Sequence, residues 1–168
     1  MQNTIGLWED LITALTETLD LNRAFLRLSQ HKRSVLVTAD AKELEATTRQ
    51  EELLILHLAK MEGLREKTVA GIVAAYGLES GSLTLAKVGE LAPGNVAHRL
   101  SAIGTEFEKV SSELVPLNES NAELIQQALT FINYNVNLLA RSTAGTTYAP
   151  QGQTGEGVGS RALFDHKV

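Results

Sequence analysis

"NVAHRLSAIGTEFEKVSSELVPLNESNAELIQQALTFINYNVNLLARS", residues 95–142, decides the fold. Val96, Leu100, Ile103, Phe107, Val110, Leu114, Leu117, Asn121, Leu124, Ala128, Phe131, Asn135 and Leu138 follow one another in alternating steps of four and three. Steps of that size place side chains on one face of an α-helix, and a strict alternation makes that face a heptad seam. The stretch predicts one long helix packed along others. Pro116 lies inside it without an N–H to donate, so a kink or a break is expected there. The heptad phase continues past the proline, which favours a kink over a reversal.

Upstream, the same periodicity recurs. Ile5, Trp8, Ile12, Leu15, Leu19 and Leu26 form an apolar stripe on a helix over about 5–37. Asp40 followed by Glu43 has the spacing of a capping box and opens a second helix over about 41–76. That helix carries its own heptad: Leu44, Thr47, Glu51, Leu54, Leu58, Met61, Arg65, Thr68, Ile72 and Ala75. Several of these seam positions are polar, as in coiled coils that give up stability for register. Gly77 follows Tyr76 where a helix-terminating glycine belongs. Between 77 and 95, Ser82 is placed to cap a helix of two turns ending near Leu91. After Ser142 the periodicity stops, and residues 143–168 hold five of the 13 glycines. Such a segment buries too little apolar surface to offset the entropy of ordering it. The expected architecture is all-α: an elongated antiparallel coiled coil of three long helices over 1–142, with a short connecting helix, and a flexible C-terminal tail over 143–168.

Composition narrows the function. Apolar residues make up 43% and charged residues 21%, the balance of a folded soluble chain, while 5% aromatics suit helix seams better than a deep core. A net charge of −5 with no Lys/Arg cluster beyond His31, Lys32 and Arg33 argues against nucleic-acid binding. Cysteine is absent, which removes disulfides and thiolate chemistry. No secretory signal and no apolar run of spanning length is evident, so a cytoplasmic protein without membrane insertion is expected.

Catalytic constellations are missing from the pattern. His31, His57, His98 and His166 are far apart, and none has a second ligand at helical spacing. Gly152, Gly155, Gly157 and Gly159 fail the phosphate-loop pattern because Val158 stands where lysine is needed. No cofactor and no enzyme activity are expected. One alternative is "HLAKMEG", residues 57–63, which resembles the phosphoacceptor motif of histidine phosphotransfer domains, with His57 as acceptor. Met61 stands where that motif has a small residue. A generic helical adaptor or coiled-coil scaffold is the other alternative.

"LVPLNESNAELIQQALTFINYNVNLL", residues 114–139, resembles the end of the long helix in the FlgN-like flagellar export chaperones. Asn118, Asn121, Leu124, Ile125, Leu129 and Tyr148 fit that family's pattern, and "TTYAPQGQ" and "LFDHKV" are similar to its closing motifs. "ADAKELEATTRQEELLILHLAKMEGLRE", residues 39–66, resembles its second helix more loosely. The resemblance implies a cytoplasmic chaperone that holds hook–filament junction proteins (the FlgK and FlgL type, flagellar hook-associated proteins) and delivers them to the export gate of the flagellar type III secretion apparatus.

The residues give that role a place. Beside the seam residues Leu124, Ala128, Phe131 and Leu138 lie Ile125, Leu129, Ile132, Val136 and Leu139, so the late helix is apolar on more than one face. The partner-binding set read from this pattern is Leu124, Ile125, Ala128, Leu129, Phe131, Ile132, Val136 and Leu139, joined by Tyr148 and Phe164 from the tail. The weaker alternative for the surplus face is packing against the first helix or closure between two copies, which leaves a homodimer open.

Overall fold

The computed structural model describes residues 2–77 and 85–144, and all regular structure among them is helical. The elements are α1 (Gln2–Thr38), α2 (Ala41–Ala75), α3 (Leu85–Glu90) and α4 (Gly94–Ala144). They match the expected three long helices and one short connector. The chain divides into two units, Met1–Leu129 and Thr130–Val168. The described part of the second is the end of α4.

The turn between α1 and α2 is fixed by its hydrogen bonds. Asp40 N–H donates to Val35 C=O and Ala39 N–H donates to Leu36 C=O, both at 3.3 Å, the pairing of a Schellman motif. The motif needs a left-handed residue, and Ala39 takes that role at φ 55°. Asp40 then caps α2, its Oδ1 accepting from the Glu43 N–H at 3.0 Å. The reciprocal half of the capping box does not form, because the Asp40 N–H is already spent on α1. Glu43 instead meets His31 Nε2 at 3.0 Å and ties the two helices beside the turn. At the other end of α2, Gly77 adopts φ 67° and donates to Ala74 C=O, as its sequence position predicts.

Within the first unit α2 runs antiparallel to α1. Lys32 Nζ lies 2.6 Å from Glu51 Oε2 near one end, and Trp8 Nε1 lies 3.4 Å from Tyr76 Oη at the other. Gly71 lets the helices approach closely there: a Cβ on it would sit 3.1 Å from Leu7 Cδ2. The α2 seam holds from Leu44 to Ile72, with every heptad position buried or half-buried and only Ala75 exposed. Its polar members are satisfied locally: Thr47 and Thr68 donate to the carbonyls of Glu43 and Leu64, four residues back.

The first part of α4 runs in the same direction as α1, and so antiparallel to α2. Arg99 pairs with Glu9, Arg23 with Glu106, and Arg33 with Ser120, in ascending order along both helices. Beside these contacts a polar clasp crosses the interface. Asn121 Nδ2 donates to Ser29 C=O at 2.9 Å, and Ser29 Oγ donates to Asn118 Oδ1 at 2.9 Å. Buried side-chain amides of this kind fix the register of two helices at some expense of stability. All four helices meet around Trp8, Leu11, Ile12, Leu15, Ile72, Val88 and Val96.

Two details differ from the sequence-based expectation. Ile5 is 67% exposed rather than part of the α1 stripe, whereas Leu11 and Ala14 are fully buried. The reason is that α1 is packed on two sides, by α2 and by α4, so its apolar arc is wider than one stripe. The α4 helix runs unbroken through Pro116, which rules out the break that the proline suggested; the residue is exposed. The connecting helix α3 is described over Leu85–Glu90, and Ser82, its expected cap, lies outside the described residues.

Candidate functional site

The α4 seam splits into two regimes. From Val96 to Leu124 each heptad position is buried or half-buried. Leu124 and Ile125 are half-buried, and Ala128 and Leu129 at the end of the first unit are exposed. The heptad then continues in sequence while its burial ceases.

In the second unit α4 carries large apolar side chains in the open. Phe131 is 67% exposed and Leu139 65%, and Ile132, Val136, Leu138 and Tyr134 are also exposed. At about 100° per residue they fall into two rows, Phe131–Tyr134–Leu138 and Ile132–Val136–Leu139. The rows flank Asn135, whose Nδ2 folds back to donate to the Phe131 carbonyl at 2.9 Å. That bond satisfies the amide inside its own helix and leaves the rows continuous. Tyr134, Asn137, Leu138 and Arg141 border a shallow cavity of about 230 Å³. Asn133 and Asn137 occupy the remaining arc.

Electrostatically the stretch is silent. From Leu124 to Ala140 no Asp, Glu, Lys, Arg or His occurs. No helix among the described residues is long and apolar enough to cross a membrane. Among the described residues no three His, Asp or Glu side chains gather as a metal site. Such a surface gains free energy by burying apolar area; it has no group here to move a proton or hold an ion.

Of the residues expected to bind a partner, Phe131, Ile132, Val136 and Leu139 share this exposed stretch. Leu124 and Ile125 sit where α4 is still partly covered. Tyr148 and Phe164 lie outside the described residues. Tyr134 and Leu138, which the partner-binding set does not include, are exposed in the same stretch. The signal for both was present, since Tyr134 stands three residues after Phe131 and four before Leu138.

The relation to known proteins extends over nearly the whole chain. A family model described as "FlgN protein" matches residues 1–156, nearly the whole sequence. The chain belongs to the FlgN family. Comparisons with curated proteins and with solved structures found no match. FlgN proteins are flagellar export chaperones that bind hook-associated proteins, and that general role is this chain's.

Proposed function

We propose that the two apolar rows at the end of α4 are the client-binding surface of this FlgN chaperone. Its clients are hook–filament junction proteins of the FlgK and FlgL type, held in the cytoplasm and released at the export gate of the flagellar secretion apparatus. The observation that carries the reading is the run of exposed side chains from Phe131 to Leu139, uncharged throughout. A monomeric chain rarely leaves such a patch uncovered without a partner for it. An amphipathic client helix laid over it would bury side chains worth about 1.5–3 kcal/mol each when fully covered. Family membership favours this reading over a generic adaptor or phosphotransfer at His57.

The test is titration of purified junction proteins against wild type and Ile132→Asp, with deletion of residues 143–168 as a second variant. Ile132→Asp is expected to weaken binding by tenfold or more, about 1.4 kcal/mol, with far-UV helicity unchanged. The tail deletion is expected to weaken binding and keep helicity. Unchanged affinity and oligomeric state in Ile132→Asp would remove this face from the site. Loss of helicity on tail deletion would make the tail part of the fold.

A further inference from the structure

The two apolar rows at the end of α4 arise differently in the sequence. Phe131 and Leu138, with Tyr134 beside them, carry on the heptad seam that begins at Val96. The other row belongs to a seven-residue series one position further on: Ala97, Gly104, Ser111, Asn118, Ile125, Ile132 and Leu139. The first four members of that series are small or polar, and the last three are large and aliphatic. Up to Asn118, then, α4 carries one apolar seam, which is what a helix needs for one packing face. From Ile125 onward it carries two.

The width of the apolar surface says how many helices would cover it. At about 100° per residue, the exposed apolar side chains from Tyr134 through Phe131 to Val136 span an arc of about 200°. A helix that faces one core presents an apolar stripe of about 100°. One client helix would therefore leave about half of this arc in water. The rest of the circumference holds Thr130, Asn133, Asn137 and Arg141, all exposed. A helix buried on every side is apolar on every side, so enclosure within a larger bundle does not fit either. Two partner helices do. The centres of the rows lie about 130° apart, so helices seated on them at 8–10 Å would run roughly 15–18 Å from each other. That is too far for the two to pack together, and each is held by its own row. Neither row contains a charged residue, so each matches an uncharged apolar stripe. Each offers only three large side chains to offset the freedom lost by an independent partner. Two helices of one chain lose that freedom once and share both rows.

Resting on the reading of these rows as the client surface, we propose that one junction protein is held by two of its helices, one seated on Phe131, Tyr134 and Leu138 and the other on Ile132, Val136 and Leu139, with the end of α4 between them.

The experiment uses the full chain with a photoreactive phenylalanine in place of Phe131 or of Val136, mixed with purified junction proteins of the FlgK and FlgL type. Light scattering gives the stoichiometry, and sequencing of the labelled peptides gives the contact. One client per chain is expected, with two client segments labelled that do not overlap, one from each position. Leu138→Asp should weaken binding by on the order of tenfold, abolish labelling from Phe131 and keep that from Val136, with far-UV helicity intact. Ile132→Asp should do the reverse. Labelling of one and the same segment from both positions, or labelling from one position alone, overturns the two-helix hold. So do two clients per chain, or a second copy of the chaperone labelled at either row. These outcomes leave the client surface standing. Clients that bind with full affinity while neither position labels them overturn the surface and the two-helix hold together.

Discussion

Ala39 and Gly77 perform the same task with different chemistry. Both end a long helix in the left-handed region, at φ 55° and 67°. Glycine does so without steric penalty, whereas an alanine Cβ crowds the neighbouring backbone at a cost of about 1–2 kcal/mol. Ala39→Gly should therefore raise stability by about 1 kcal/mol, less than the full relief because glycine also loosens the unfolded chain. Urea midpoints with an unchanged m-value would show it. The Lys32–Glu51 pair carries the opposite sign of risk. Its side chains are only 17% and 11% exposed. Glu51→Ala strands the ammonium and should cost about 2–3 kcal/mol, while Lys32→Met with Glu51→Leu should return to within about 1 kcal/mol of wild type. A double-mutant cycle measures both. Glu106 adds a pH effect: Lys109 foremost, then Arg23, holds its carboxyl below the ordinary 4.5. A lowered folded-state value stabilises above the unfolded one and fades as pH falls through the folded one. Glu106→Gln should be less stable than wild type at neutral pH and converge with it well below pH 4.5, as paired urea titrations would show.

At the scale of elements, how much could be read from the sequence depended on how many partners a helix has. The α2 heptad contains the buried Thr47, Glu51, Thr68 and Ile72, polar members included, and leaves out only Val73 of the buried residues of that helix. The α1 helix is covered on two sides, so a single stripe missed Leu11 and Ala14 and misplaced Ile5. In α4 the heptad gave the register throughout but could not say where burial stops, since Phe131 and Leu138 obey the same spacing as Val96 and Val110. Periodicity records which face is apolar; it holds no record of what covers that face. Pro116 is the local rule that the element overrides. It is exposed inside a continuous helix that α1 supports through the Asn121–Ser29 clasp. An interior proline costs about 3 kcal/mol relative to alanine in an unsupported helix. Pro116→Ala should thus raise the melting temperature, corresponding to about 1–3 kcal/mol, with client affinity unchanged. A loss of stability would mean that the proline-imposed geometry is needed for α4 to follow α1.

For the whole molecule the question is which parts hold the fold and which are kept for partners. The core around Trp8 draws nothing from beyond Ile103, and the clasp and ion pairs that fasten α4 to α1 end at Asn121. The second unit begins at Thr130, and its described residues include none of the buried apolar ones. Stability and client binding should consequently be separable by one cut. A chain ending at Leu129 is expected to fold, with Trp8, the sole tryptophan, reporting a cooperative transition within about 1 kcal/mol of wild type. Its affinity for junction proteins should fall below detection, because both apolar rows are gone. Binding through uncharged α4 gains nothing from Coulomb attraction and should hold as ionic strength rises. If the shortened chain instead unfolds, with tryptophan emission shifted to that of a solvated indole, the exposed rows contribute to folding after all, and their role as a reserved client surface would have to be given up.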